Sequence, residues 1–131
     1  MQAAIQLVDA EPSGRRIREF TLRLVSERLT ARELIAARVR QEVGAYNAGQ
    51  GELFEGLVQP KGAEVALNGY RMKDRRSLDV DIQIETALTA FDRNGFFLLV
   101  DDRQIEGLDD VIVIGVATQV SFVKLVPLVG G

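Results

Sequence analysis

The residues of this chain whose types and spacing suggest chemistry lie at its end, where Gly130 and Gly131 follow an apolar segment, residues 125–129. A strand-like run precedes that segment. Two residues without side chains can lie extended in a narrow channel that any Cβ would block. The carboxylate of Gly131 could then reach a nucleotide held by another protein. The pattern predicts that the terminal carboxylate is the reactive group of this chain.

The composition excludes most other chemistry. The 131 residues include no cysteine and no histidine. Disulfides, thiol nucleophiles, Cys/His zinc sites and imidazole bases are therefore excluded, together with hydrolases and transferases built on Ser-His or Cys-His pairs. A carboxylate-only or lysine-based enzyme is left open by the residue types, but no arrangement points to one. We expect that the chain is not an enzyme.

Charge and hydropathy predict a cytoplasmic protein with one folded domain. An apolar content of 47% is enough for a core, and the net charge of −3 gives no broad attraction to nucleic acid or to an anionic membrane. Residues 1–9 lack the basic start and long apolar core of a signal peptide. The longest apolar run, residues 111–117, is far shorter than a membrane span.

The first part of the chain predicts a β-hairpin followed by a helix. Alternating apolar and polar residues at 3–8 and 20–24 flank a turn signal at 11–14. Thr30 and Glu33 then form a capping-box pattern, which is typical of a helix start. The apolar stripe of this helix is expected at Leu34, Ile35, Val39, Val43 and Tyr46.

Four charged residues of this helix are expected to lie largely off the apolar stripe: Arg32, Arg38, Arg40 and Glu42.

The middle of the chain predicts an insertion and a second helix. Repeated glycines in residues 49–78 indicate little regular structure, with a possible short strand at 64–67 and a tight turn at 68–69. Apolar residues at helical spacing then predict a helix over 80–93, with Asp79 as its N-cap.

The last third of the chain predicts strands. Residues 96–100 are continuously apolar, which is typical of a strand buried on both faces. Residues 101–102 form a turn before a short return at 104–105, and residues 111–114 are extended. Residues 120–125 alternate as a last strand.

The order of these elements resembles the β-grasp fold of ubiquitin. Residues 1–29 are similar to its hairpin and residues 30–46 to its central helix. The last third is similar to the bacterial sulfur carriers of molybdopterin and thiamine biosynthesis. There residues 99–105 correspond to a strand, turn and return, and residues 118–122 to a turn and final strand. Residues 127–131, Pro-Leu-Val-Gly-Gly, resemble the Pro-Pro-Val-Ala-Gly-Gly ending of those carriers.

The resemblance covers residues 1–46 and 96–131 and implies an α+β, ubiquitin-like β-grasp fold. The predicted single domain spans 1–131, with a glycine-rich insertion and second helix at about 49–95 and a tail at 126–131. The insertion departs from the sulfur carriers. It favours an interaction module or a larger bacterial ubiquitin-like modifier, which would work with activating, conjugating and deconjugating proteins. The Pro-containing apolar tail, in contrast, favours the carrier.

The resemblance also implies roles for the tail residues. A partner would adenylate the carboxylate of Gly131 with ATP and Mg²⁺, and the chain itself would bind no cofactor and no metal. Gly130 would give clearance in the partner's channel. Leu128 and Val129 would contact the partner, and Pro127, which cannot continue a central strand, would set the direction in which the tail leaves.

Three functions are compatible with this resemblance. The first is a modifier whose carboxylate is joined to a target amine. The second is a sulfur carrier, in which sulfide captures the same adenylate as a thiocarboxylate. The third is a β-grasp interaction module that is never activated.

Other charged groups have simpler interpretations. The basic cluster at residues 71–76 is typical of a solvated loop, and the acidic pairs at 101–102 and 109–110 are typical of turns rather than metal sites. Chain formation by self-modification would depend on Lys61, Lys73 and Lys124, because these are the only lysines.

Overall fold

A computed structural model describes residues 3–49, 53–66, 69–72 and 77–125 of the chain. The architecture is α+β. The elements in chain order are β1 (Ala3–Ala10), β2 (Arg16–Leu24), β3 (Arg28–Thr30), α1 (Ala31–Asn47), β4 (Leu53–Phe54), β5 (Ala63–Ala66), β6 (Gly69–Met72), α2 (Val80–Asp92), β7 (Phe96–Val100), β8 (Arg103–Ile105), β9 (Val111–Val113) and β10 (Val120–Lys124).

The main sheet has five strands in the order β2-β1-β10-β7-β8. Its central pair, β1 and β10, is parallel, and every other neighbouring pair is antiparallel. Parallel neighbours run in the same direction, so the carboxyl ends of β1 and β10 lie side by side at one edge. The first and last strands of the described chain therefore finish next to each other.

The predicted hairpin and both predicted helices are confirmed. β1 and β2 pair over their whole length, from Ala3 opposite Leu24 to a bulge at Ala10. The α2 helix begins after its N-cap, Asp79, as expected. Apolar residues of both helices join the inward side chains of the sheet in one core.

The capping box at the start of α1 is complete. The Glu33 amide donates to Thr30 Oγ1 at 3.2 Å, and the Thr30 amide donates to Glu33 Oε1 at 3.0 Å. The hydrogen bond from the Thr30 backbone lowers the pKa of Glu33. Two donors that would otherwise have no partner within the helix are thereby satisfied.

We expect Thr30→Ala to lower the free energy of unfolding by about 1 kcal/mol, because the side-chain acceptor of the box is lost. Urea denaturation measures this. Thr89→Ala, at an exposed threonine of α2, is the matched control and should change the stability by no more than about 0.5 kcal/mol. Equal losses in the two variants would contradict a specific role of the cap.

The sequence predicted that the continuous apolar strand at 96–100 is buried on both faces. This prediction is wrong. In β7, Phe96, Leu98 and Val100 are buried, whereas Phe97 and Leu99 are only partly buried. Both helices contribute to the core on the inner face, so the inner side chains alone are enclosed.

The expectation that residues 49–78 have little regular structure is also wrong. Three short strands form a second sheet in the order β4-β6-β5, and β5 (Ala63–Ala66) corresponds to the short strand predicted at 64–67. Phe54 and Leu57 from this insertion are buried in the main core. The predicted turn at 68–69 includes Asn68, which lies outside the described residues.

A third sheet joins β3 to β9. β9 lies within the segment 111–114 that was predicted to be extended, and β3 lies just before α1 in the chain. No helix in the described part of the chain is long and apolar enough to cross a membrane.

Candidate functional site at the end of the central strands

The predicted activation residues and tail contacts, Pro127 to Gly131, lie outside the described residues. The described chain leads toward them through β10, and Leu125, the residue after this strand, is exposed. The part of the site that the structure describes is therefore the edge of the sheet where β1 and β10 end.

Charged side chains gather at this edge because alternate residues of three strands point to the same inner face of the sheet. The inward residues toward this edge are Ile5, Leu7 and Asp9 in β1, Leu22, Phe20 and Arg18 in β2, and Val120, Phe122 and Lys124 in β10. Each strand thus changes from apolar to charged at the same end. With two residues of α1, these side chains form the charged cluster: Asp9, Arg18, Arg38, Glu42 and Lys124.

The centre of the charged cluster is a buried pair between β1 and α1. The Arg38 guanidinium donates to both carboxylate oxygens of Asp9, from Nη1 to Oδ1 at 2.6 Å and from Nη2 to Oδ2 at 2.7 Å. Arg38 is 0% exposed and Asp9 is 1% exposed. This two-pronged geometry is the strongest form of a carboxylate–arginine contact. It joins the helix to the sheet.

Arg18 and Glu42 extend the pair toward the insertion. Arg38 Nε donates to Glu42 Oε2 at 3.2 Å, and Arg18 Nη2 lies 3.3 Å from both Asp9 Oδ2 and the same Glu42 oxygen. The Leu57 amide donates to Glu42 Oε1 at 3.1 Å, and Arg18 Nη1 donates to the Glu55 carbonyl at 3.2 Å. Backbone groups of the insertion are therefore held by the cluster.

Lys124, the last residue of β10, completes the connection. Its Nζ donates to the Gly56 carbonyl at 3.2 Å and lies 3.8 Å from Asp9 Oδ2. The position from which the chain continues toward residue 131 is thus tied to both the central strand and the insertion.

Aromatic rings cover the cations of the cluster. The Arg38 guanidinium carbon lies 4.7 Å from the centre of the Phe20 ring and 4.6 Å from that of Phe122. Arg18 lies 5.1 Å above Phe20. Ring faces attract cations most strongly where water is excluded. The rings therefore compensate in part for the desolvation of these two arginines.

Burial and ion pairing oppose each other in setting the charges. Burial alone would raise the pKa of Asp9, but the hydrogen bonds and charge of Arg38, with Lys124 and Arg18, hold the pKa below its ordinary value. Burial raises the pKa of Glu42, and the charges of Arg38 and Arg18 offset only part of this. Burial also lowers the pKa of Lys124, although Asp9 opposes the change.

The arrangement is suited to positioning rather than to covalent chemistry. Every cation and carboxylate of the charged cluster is engaged by a partner, and the two central groups are sealed from solvent. A cleft of about 300 Å³ opens beside it between α1, β2 and the insertion, with Arg18, Phe20 and Glu55 in its wall.

Of the four charged residues expected off the stripe, Arg32 and Arg40 are exposed, but the expectation is wrong for Arg38 and Glu42. Arg38 is fully buried, and the Glu42 side chain is 7% exposed. Leu34, Arg38 and Glu42 follow one another at intervals of four, on the same side of the helix. The sequence did contain a signal: β1 and β2 each carry a charged residue, Asp9 and Arg18, at an inward position. These residues are the buried partners of Arg38 and Glu42.

The other charged groups considered in the sequence have local roles. Asp101 and Asp102 take left-handed conformations in the β7–β8 turn, and Asp101 Oδ1 accepts from the Gln119 amide at 2.9 Å. Asp110 Oδ2 accepts from the Gly107 amide at 3.1 Å. Among the described residues no group of three or more acidic side chains is placed to hold a metal ion. Most of the basic cluster, residues 73–76, lies outside the described residues.

Position 56, whose carbonyl accepts from Lys124, has no room for a side chain. A Cβ at this position would lie 2.0 Å from Cε2 of Phe54, whose ring is buried against Tyr46. We expect Gly56→Ala to cost about 1–3 kcal/mol in the free energy of unfolding, because the buried ring cannot withdraw without disturbing the core.

The matched control for Gly56 is Gly44→Ala in α1, where an added Cβ meets nothing within 4 Å. Alanine in a helix interior should increase stability by up to about 1 kcal/mol. Urea denaturation of both variants tests the prediction, and a Gly56→Ala protein as stable as the wild type would contradict it.

Comparison of the chain with protein-family models, with curated proteins and with solved structures finds no match. The functional argument therefore depends on the residues and geometry of this chain.

Proposed function

We propose that this chain is a ubiquitin-like modifier with a β-grasp fold, and that a partner enzyme adenylates its Gly131 carboxylate before joining it to an amine of a target protein. The observation that carries this proposal is the position of β10. β10 lies in the centre of the sheet and runs parallel to β1. On one side of it lie β1 and β2, the two strands of the hairpin, and on the other side lie β7 and β8. The capped helix α1 follows the hairpin.

This topology supports a presented terminus. Because β10 is held by a neighbour on each side, its end is fixed relative to the whole sheet. Lys124 is tied to Asp9 and to the Gly56 carbonyl, and Leu125 is already exposed. A segment that continues from this point starts from a rigid base at the surface, which favours delivery into a partner's channel.

The proposed chemistry needs nothing from this chain except its carboxylate. A Gly131 carboxylate oxygen attacks the α-phosphorus of ATP, and pyrophosphate leaves with Mg²⁺ held by the partner. A partner thiolate then displaces AMP to form a thioester. A target amine displaces the thiolate, loses a proton and forms the amide. The absence of cysteine and histidine from the sequence agrees with a passive substrate.

The insertion favours the modifier over the simpler sulfur carrier. Its three-stranded sheet and α2 add surface that a carrier of sulfur does not require, and the charged cluster attaches this surface to the base of the tail. An activating or conjugating partner that holds the tail would therefore meet the insertion as well.

Mass spectrometry of the protein from its native cell tests the proposal. Trypsin cleaves after Lys124, so a conjugate would leave residues 125–131 as a seven-residue branch on a target lysine. We expect this branched peptide. An intact mass with one oxygen replaced by sulfur would instead support the carrier. An unmodified chain, or a chain extending beyond Gly131 in every form, would contradict activation at this residue.

A further inference from the structure

Within the described part of the chain, the sheet formed by β3 and β9 has one edge, that of β9, without backbone partners. The register pairs Arg28 with Val113 and Thr30 with Val111. The flanking hydrogen bonds run from the Ile114 amide to the Glu27 carbonyl at 2.7 Å, and from the Ala31 amide to the Asp110 carbonyl at 2.9 Å.

These contacts fix the direction of each backbone group in β9. In an antiparallel pair, hydrogen-bonded residues alternate with residues whose amide and carbonyl point away. Ile114 and Asp110 bond toward β3, so Ile112 does too. The amides and carbonyls of Val111 and Val113 point to the opposite edge, and no described residue bonds to them there.

The side chains at this edge are apolar and accessible. Val111 is 43% exposed and Val113 is 61% exposed, while Ile112 between them is buried. The edge of β3, in contrast, is occupied locally: Ser26 Oγ accepts from the Arg28 amide at 3.1 Å, and Glu33 accepts from the Thr30 amide. Exposed strand edges of this kind pair readily with another extended chain.

We propose that β9 pairs with β9 of a second copy of this chain, antiparallel and centred on Ile112. Val111 of one copy then faces Val113 of the other, and the outward amides and carbonyls of both residues satisfy each other. The edge is complementary to itself because the two outward residues are the same type and lie symmetrically about the centre.

The charges beside this edge permit the pairing. In the four-stranded sheet, the row across one face reads Arg28, Val113, Val111 of the second copy and Thr30 of the second copy. No two like charges are adjacent in that row. Asp110, the nearest acidic residue, turns its carboxylate to the Gly107 amide of its own loop.

The proposed dimer edge and the charged cluster belong to opposite ends of the main sheet. α1 continues from β3, and the hairpin strand β2 ends at Leu24, opposite Ala3 at the start of β1. β3 therefore leaves the main sheet at the end where β1 starts. The charged cluster lies at the other end of the sheet, at the carboxyl ends of β1 and β10. The pairing is thus independent of whether Gly131 is activated.

Sedimentation equilibrium of the full chain from about 20 µM to about 1 mM tests this interface, which belongs to the small and weak class. We expect a monomer–dimer equilibrium. Val113→Lys should weaken dimerisation at least about tenfold, because it places a charge beside the apolar edge of the second copy.

Val65→Lys is the matched control, because Val65 is 66% exposed and lies in another edge strand, β5. It should change the dissociation constant less than about twofold. Amide hydrogen exchange adds a backbone readout: protection of Val111 and Val113 should rise with protein concentration. A monomer at all concentrations, or equal effects of the two lysines, would overturn the proposal. So would amide protection at this edge that appears only with a different protein.

Discussion

Arg38→Met is expected to lower the free energy of unfolding by about 3–5 kcal/mol, because it leaves the Asp9 carboxylate buried without its two strongest donors. Methionine retains much of the aliphatic volume beside Phe20 and Phe122, so lost packing accounts for little of the change. Arg40→Met is the control in the same helix, at an exposed residue, and should cost no more than about 0.5 kcal/mol. Urea denaturation measures both.

A double-mutant cycle separates the charge pair from the surrounding packing. Asp9→Leu combined with Arg38→Met removes both charges, and Glu42 keeps Arg18 and the Leu57 amide as donors. We expect the double variant to be more stable than the sum of the single effects predicts, by at least about 2 kcal/mol. Additive single effects would show that Asp9 and Arg38 do not act as a pair.

The same pair predicts a pH dependence of known sign. The pKa of Asp9 is lower in the folded protein than its ordinary value of 3.8. Its stabilising contribution is therefore complete above that value and is lost as the pH falls toward the folded pKa. The stability difference between the wild type and Asp9→Asn should accordingly stay constant above about pH 5 and shrink as the pH falls from there to about pH 2. A constant difference over this range would show that the Asp9 charge contributes nothing.

Local signals predicted the elements that depend on local chemistry. Thr30 and Glu33 satisfy each other within one turn, so a four-residue pattern was enough to place the start of α1. The alternation in β1 and β2 likewise needs only a sheet with one buried face. In α2, Asp79 and the helical spacing that follows it identified both the helix and its N-cap.

The features that the sequence did not predict depend on distant partners. Arg38 is buried only because Asp9, 29 positions away, supplies a matching carboxylate. Of the strands in the insertion, β5 corresponds to the short strand predicted at 64–67, whereas β4 and β6 have only two and four residues, so their periodicity is too short to recognise. They are stable because they pair with each other and because Phe54 reaches the main core. Single-residue patterns do not contain that information.

Removal of Gly131 should abolish the proposed activation without a change in fold stability. The carboxylate would then end on Gly130, one residue short of the reacting phosphorus, and a misplacement of this size in a positioned reaction costs at least about 100-fold in rate. Gly130→Ala retains the length but adds a Cβ where the partner's channel needs clearance, and should have a similar effect. Quantifying the branched tryptic peptide in cells that express each variant measures both: the branch has six residues, 125–130, after removal of Gly131, and seven residues in Gly130→Ala.

The unfolding midpoint distinguishes this result from a folding defect. The buried residues of β10 are Val120 and Phe122, so variants at Gly130 and Gly131 should unfold at the wild-type urea concentration. Gly44→Ala, which changes a glycine in α1 far along the chain, should leave the amount of conjugate unchanged. Conjugates that form normally without Gly131 would refute the proposed chemistry. A loss of stability comparable to that of Arg38→Met would instead show that the end of the chain belongs to the core, since only a segment packed inside the fold could contribute that much free energy.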